Sequence, residues 1–119
     1  MELSLIRSLM DREFYDDHRG AKCPDRLFSK DVRKIKNTLD EAMRKHERNL
    51  SLTELQALFF SDNGTMTSAN KASFEVLFSK LSKEEPMNDD IAKEVLSKLF
   101  QQMVGEEVAN IGFDYVNGT

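Results

Sequence analysis

The feature that most constrains the fold is an apolar stripe in the middle of the chain. Val32, Ile35, Leu39, Ala42 and Met43 recur at i, i+3, i+7, i+10 and i+11. At the α-helical repeat of about 3.6 residues per turn, these five side chains share one side of a cylinder. A strand cannot gather them, because its side chains alternate between two faces. Ser29 suits the N-cap and Asp31 favours the positive end of the helix dipole. The helix is expected to end near His46, with Asn49 at its exit. The other side of this helix carries Arg33, Lys34, Lys36, Arg44 and Lys45.

The same periodicity recurs along the chain, and no stretch shows sustained alternation of apolar and polar residues. Leu3, Leu5, Ile6, Leu9 and Met10 mark a first helix. A polar, turn-rich stretch from Asp16 to Pro24 follows, punctuated by Gly20, with Phe14 and Tyr15 packing back on the core. Ser51 and Glu54 have the spacing of a capping box, which opens a short helix carrying Leu52, Leu55, Leu58 and Phe59. Asp62-Asn63-Gly64 should stop it. Thr67 or Ser68 can cap the next helix, whose apolar positions are Ala72, Phe74, Leu77, Phe78 and Leu81. After the break from Lys83 to Pro86, Asn88 caps a last helix, with Asp89 and Asp90 in its first turn. Its apolar positions are Ile91, Val95, Leu96, Leu99, Phe100, Met103, Val104, Val108 and Ile111.

These signals predict an all-α fold: a compact bundle of five or six helices ending in a long antiparallel helical hairpin. The chain has 119 residues, the size of one domain. Within it, 1–66 reads as a small helical bundle, 67–116 as the hairpin and 117–119 as the start of a linker. The hairpin is richer in apolar positions than one inter-helix seam requires. Phe74, Leu77, Phe78 and Leu81 face Leu96, Leu99, Phe100 and Met103, and adjacent pairs widen the last stripe. Either the rest of the domain covers the surplus, or a second copy does.

Charge and composition narrow the function. The net charge is −4, yet residues 19–48 hold ten Lys/Arg against five Asp/Glu, and the remainder holds seven against sixteen. The two sets are either solvated helix faces or a basic patch with an opposite partner. No apolar run approaches the about 20 residues that span a bilayer. The opening residues lack a signal-peptide pattern, and a single cysteine, Cys23, cannot form an internal disulfide. A cytoplasmic setting is the expectation.

Catalytic chemistry is not visible. No glycine leads to Gly-Lys-Ser/Thr at P-loop spacing. His18 and His46 have no second His or Cys at zinc-ligand spacing, and His18 beside Asp16 and Asp17 reads as a solvent or capping residue. Cys23 reads as a structural thiol. Treating Asp62-Asn63-Gly64 as a calcium loop would put Phe59 at the first ligand position. Asp16-Asp17 and Asp89-Asp90 are neighbours whose side chains diverge on a helix, so neither pair converges on a metal unaided. No catalytic, cofactor or metal residues are assigned, and an enzyme is the least expected class.

The order of elements resembles a known family. Glu2-Leu3-Ser4-Leu5-Ile6-Arg7-Ser8-Leu9-Met10-Asp11 is similar to the opening helix of the N-terminal domain of DnaB-family replicative DNA helicases, of the phage (T-even-like) type. Phe28 to Lys45 resembles that family's Phe-led segment and long helix, and Leu50 to Leu55 its short Ser-initiated helix. Phe78-Ser79-Lys80-Leu81 with Asn88 to Gly112 resembles the hairpin. The resemblance implies self-pairing within a hexameric ring, docking of a primase or helicase loader, and single-stranded DNA met only weakly or through the full ring. It also implies an infected host's cytoplasm, and an ATPase domain beyond a linker near Gly118. On that basis Phe74, Leu77, Phe78, Leu81, Leu96, Leu99, Phe100 and Met103 are the expected pairing residues. Arg33, Lys34, Lys36, Arg44 and Lys45 are the expected basic partner surface. Two other readings stand beside it. Ser51 to Leu81 could be a helix-turn-helix of a DNA-binding regulator, although its turn from Ser61 to Thr67 is long and the chain is acidic. A small helical adaptor or inhibitor would use the same hairpin, in a gene that does not continue into a P-loop domain.

Overall fold

A computed structural model of the chain describes residues 2–18, 23, 25–99, 101 and 102. Among these, every regular element is helical, and the all-α expectation holds. In chain order they are α1 (Glu2–Leu9), α2 (Arg12–His18), a single 3-10 turn (Asp25–Leu27), α3 (Lys30–Lys45), α4 (Leu52–Asp62) and α5 (Ser68–Lys83). A sixth helix, α6, begins at residue 89 and is described through residue 99.

The predicted stripe holds α3 in place. Val32, Ile35, Leu39, Ala42 and Met43 are all buried. Ser29 sits at the N-cap, but its side chain makes no capping bond; its own N–H donates instead to Glu2 Oε1 on α1, at 2.8 Å. The start of the long helix is thus tied to the start of the chain. The helix ends as expected, with His46 at the C-cap.

The remaining boundaries also follow local chemistry. Ser51 Oγ accepts from the Glu54 N–H, and the Glu54 carboxylate accepts from the Ser51 N–H, so both halves of the capping box form. Asn63 closes α4 by donating its side-chain amide to Phe59 O at 2.8 Å. Thr67, not Ser68, caps α5. The Ala92 N–H donates to Asn88 O, the first turn of α6.

Two expectations are corrected. The polar stretch does not begin at Asp16: residues 12–18 form a helix, opened by Asp11, whose carboxylate accepts from the Phe14 N–H at 3.0 Å. His18, read as a solvent or capping residue, is buried. Its ring lies 4.3 Å from that of Phe14, and its Nε2 is 2.8 Å from Asp89 Oδ1.

α1 is the centre of the packing. It lies against α2, α3 and α5, while α4 lies against α3 and α5. Leu5, Ile6, Leu9, Ile35, Leu39, Leu55, Phe59 and Leu81 are at most 1% exposed, and they form one continuous core. The connection between α5 and α6, residues 84–88, is an extended strap laid across α1. Ser4 Oγ donates to the Glu84 carboxylate at 2.9 Å, Arg7 Nε to Glu84 O at 3.3 Å, and the Met87 N–H to Ser8 Oγ at 2.7 Å. The first helix therefore belongs to the same body as α5. The far part of the predicted hairpin and the linker at 117–119 lie outside the described residues.

Candidate functional site

Two candidate surfaces came from the sequence, and the structure treats them differently. The apolar set is largely internal. On α5, Phe74 and Phe78 stack against Phe59 of α4 at centroid distances of 4.7 and 5.5 Å, and Phe78 also meets Phe60 at 5.6 Å. Phe74, Phe78, Leu81 and Leu96 are all buried, so α4 and the core cover their side chains. Leu77 and Leu99 are half-buried and pack on the same core. Phe100 and Met103 lie outside the described residues. The surplus of apolar positions on α5 thus serves an aromatic seam with α4. The sequence shows Phe59-Phe60, but periodicity alone does not say which helix they face.

Among the described residues, two large apolar side chains remain outside that core. Val76 is 54% exposed and Ile91 is 52% exposed. The sequence pattern puts Ile91 in the apolar stripe of the last helix. Ala92 takes that inward place instead, and is fully buried.

The basic set is split. Arg33, Lys34, Arg44 and Lys45 are exposed along the outer side of α3, beside the equally exposed Lys30. Arg33 donates to Asp25 O and Phe28 O, and Lys45 pairs with Glu41 one turn back. The Lys34 ammonium lies 6.0 Å from the centre of the Phe74 ring. Lys36 does not belong with them. It is buried, and its ammonium donates to Asp25 Oδ1 at 2.8 Å and Asp40 Oδ2 at 2.9 Å. Burial alone would lower the lysine pKa, but the two carboxylate hydrogen bonds outweigh it and the net shift is upward. Asp40 also accepts from the Tyr15 hydroxyl at 2.8 Å, so the cluster ties α2 and the 3-10 turn to α3. The one correction to the basic surface is therefore Lys36, an internal clamp.

Cys23 lies against this cluster. It is 1% exposed, and burial foremost pushes its thiol up to about 11, with Asp40 and Asp25 adding and Lys36 opposing. A thiol so protonated at neutral pH is a poor nucleophile, which fits the structural role read from the sequence. Among the described residues, no three His, Cys, Asp or Glu side chains are grouped to hold a metal ion. No described helix is long and apolar enough to cross a membrane.

No known protein family, curated protein or solved structure matches this chain.

One concave feature escaped the sequence reading. An open groove of about 460 Å³ lies between α2 and the strap, lined by Ser8, Asp11, Glu13, Phe14, Asp17, Pro86, Met87, Asn88 and Asp89. Its lining includes the apolar Phe14 and Met87 and four carboxylates, one of which, Asp89, is paired with Lys93 at 3.1 Å. Asp89 is held below the usual carboxylate range, first by its hydrogen bond from His18 and then by Lys93. An ionised Asp89 can only accept, so the His18 Nε2 carries the proton between them. No local pattern brings Glu13 and Asp17 opposite Met87; only the fold of the strap over α1 does.

Proposed function

We propose that this chain is the N-terminal assembly and partner-docking domain of a phage-type, DnaB-like replicative helicase. The observation that carries the reading is the order of elements. A short opening helix is followed by a Phe28-led segment running into the long α3, a short α4 opened by the Ser51–Glu54 capping box, and then α5 and α6. In this reading the domain pairs with copies of itself within a hexameric ring. It holds a primase or helicase loader, and it leaves ATP hydrolysis and unwinding to a separate P-loop motor. Single-stranded DNA meets it only weakly, or within the complete ring. With Phe74, Phe78, Leu81 and Leu96 occupied in the core, the surfaces open to partners among the described residues include the outer ridge of α3, the exposed Val76 and Ile91, and the groove beside α2.

The test is light scattering of the purified chain across concentration, beside titrations with labelled single-stranded and duplex DNA. The expected outcome is a mass that rises with concentration and no tight DNA binding by the isolated chain. A strict monomer with tight, salt-sensitive duplex binding would replace this reading with that of a DNA-binding regulator. A strict monomer that ignores both nucleic acids would leave a small helical adaptor.

A further inference from the structure

The groove beside α2 and the ridge of α3 have opposite character. The outer side of α3 presents Lys30, Arg33, Lys34, Arg44 and Lys45, interrupted by Asp31 and Glu41, all of them exposed. Helical spacing places Arg33 and Arg44 on one edge of that ridge and Lys30 and Lys34 beside them. The groove offers a half-buried Met87 and a ring of carboxylates. Asp89 is engaged by His18 and Lys93, and Asp11 caps α2; Glu13 and Asp17 are the exposed rim carboxylates that remain, with Lys93 within electrostatic reach of Asp17.

We infer that the groove receives the basic ridge of α3 from a second copy of this chain. The inference rests on the assembly reading above and gives it a geometry. The two patches are built from different elements, α2 with the strap on one side and α3 on the other. The contact is therefore heterologous, each copy giving its ridge to one neighbour and its groove to the next, and repetition of such a contact closes a ring or extends a filament. A row of long cationic side chains suits an open concavity whose lining includes Phe14 and Met87. The aliphatic stems of lysine and arginine cover Phe14 and Met87 while their charged ends reach Glu13 and Asp17. The net charge of each patch, positive on the ridge and negative in the groove, also disfavours ridge-to-ridge and groove-to-groove pairing.

The experiment uses two double variants that neutralise one patch each. Glu13→Gln with Asp17→Asn removes the groove charges; Lys34→Gln with Arg44→Gln removes the ridge charges. Each is followed by light scattering, alone and in equimolar mixture. The wild type is expected to associate at about 50 mM salt and to weaken on the order of tenfold at about 500 mM, where exposed charges are screened beyond a few ångströms. Each variant alone should remain monomeric. Their mixture should stop at a one-to-one dimer, because the intact ridge of one meets the intact groove of the other and neither can add a third copy. That dimer also shows that both variants are folded. If the wild type associates and both variants do so equally, the ridge-and-groove contact is wrong while the assembly reading survives. If the wild type stays monomeric at every concentration and salt, both fall.

Discussion

Lys36 shows what residue-level reading can and cannot extract. On a helical wheel it sits at the edge of the apolar stripe, and its charge assigns it to the solvent side with Arg33 and Lys34. The structure turns it inward because Asp25 and Asp40 meet it there, 11 and 4 residues away in sequence. The i,i+4 carboxylate was legible; the one in the 3-10 turn was not, since its approach depends on how the chain between α2 and α3 folds back. Removing the ammonium leaves two carboxylates facing each other beside a buried thiol. Lys36→Ala is expected to destabilise the fold by about 1–3 kcal/mol, from lost charge-assisted hydrogen bonds and lost stem packing. Lys36→Met keeps the stem and should lose about half as much or less, because an apolar replacement of similar volume still packs. Urea unfolding of the two variants, read by circular dichroism, separates them. Equal losses would show that the stem contributes nothing.

At the scale of elements, the helices with strong local signals are those the structure returns. The stripe of α3 repeats at steps of three and four residues, the capping box of α4 and the Thr67 cap of α5 lie within four, and each acts where the sequence places it. The helix that escaped, α2, has a proper N-cap in Asp11, but only seven residues and a polar second half, so tertiary burial of Phe14, Tyr15 and His18 decides it. The same distinction explains the aromatic seam: spacing says that Phe74 and Phe78 face inward, not that Phe59 is what they meet. Ser51→Ala should weaken the fold by about 1 kcal/mol through loss of the N-cap. Glu54 adds a pH signature. Hydrogen bonds from Arg48 and then Ser51 hold its carboxyl at about 2, below its ordinary value of 4.5. A depressed carboxylate stabilises the folded state above its ordinary value and loses that effect as pH falls toward the folded value. Between about pH 4.5 and 2 the wild type is therefore expected to lose more stability than Glu54→Gln, whose amide does not titrate. Parallel thermal melts across that range test it; identical slopes would remove Glu54 from the acid response.

At the scale of the whole molecule, the strap is the feature that no window of sequence could reveal. Ser4, Arg7 and Ser8 bond to residues 77 to 80 positions away, and all are ordinary polar residues of a helix when read alone. Ser8 is the sharpest case. It is 1% exposed and its hydroxyl is the acceptor for the Met87 N–H. Ser8→Ala leaves that amide without its partner, and the expected cost is about 1–3 kcal/mol. Hydrogen exchange should show where the loss falls: faster exchange confined to the strap and α6 fits a local anchor, whereas uniform acceleration would mean that Ser8 supports the core in general.

The strap also sets an order of events at the ribosome. α1 is made before its partners on α5, and its hydrogen-bond partners in residues 84–87 follow it by 77 to 80 residues. Until then Leu5, Ile6 and Leu9 can be covered only by α2 and α3, and the side that meets α5 stays open. A nascent chain halted before the strap carries an uncovered apolar helix, the kind of surface that chaperones bind and that aggregates. The body closes when its late residues return to its earliest ones.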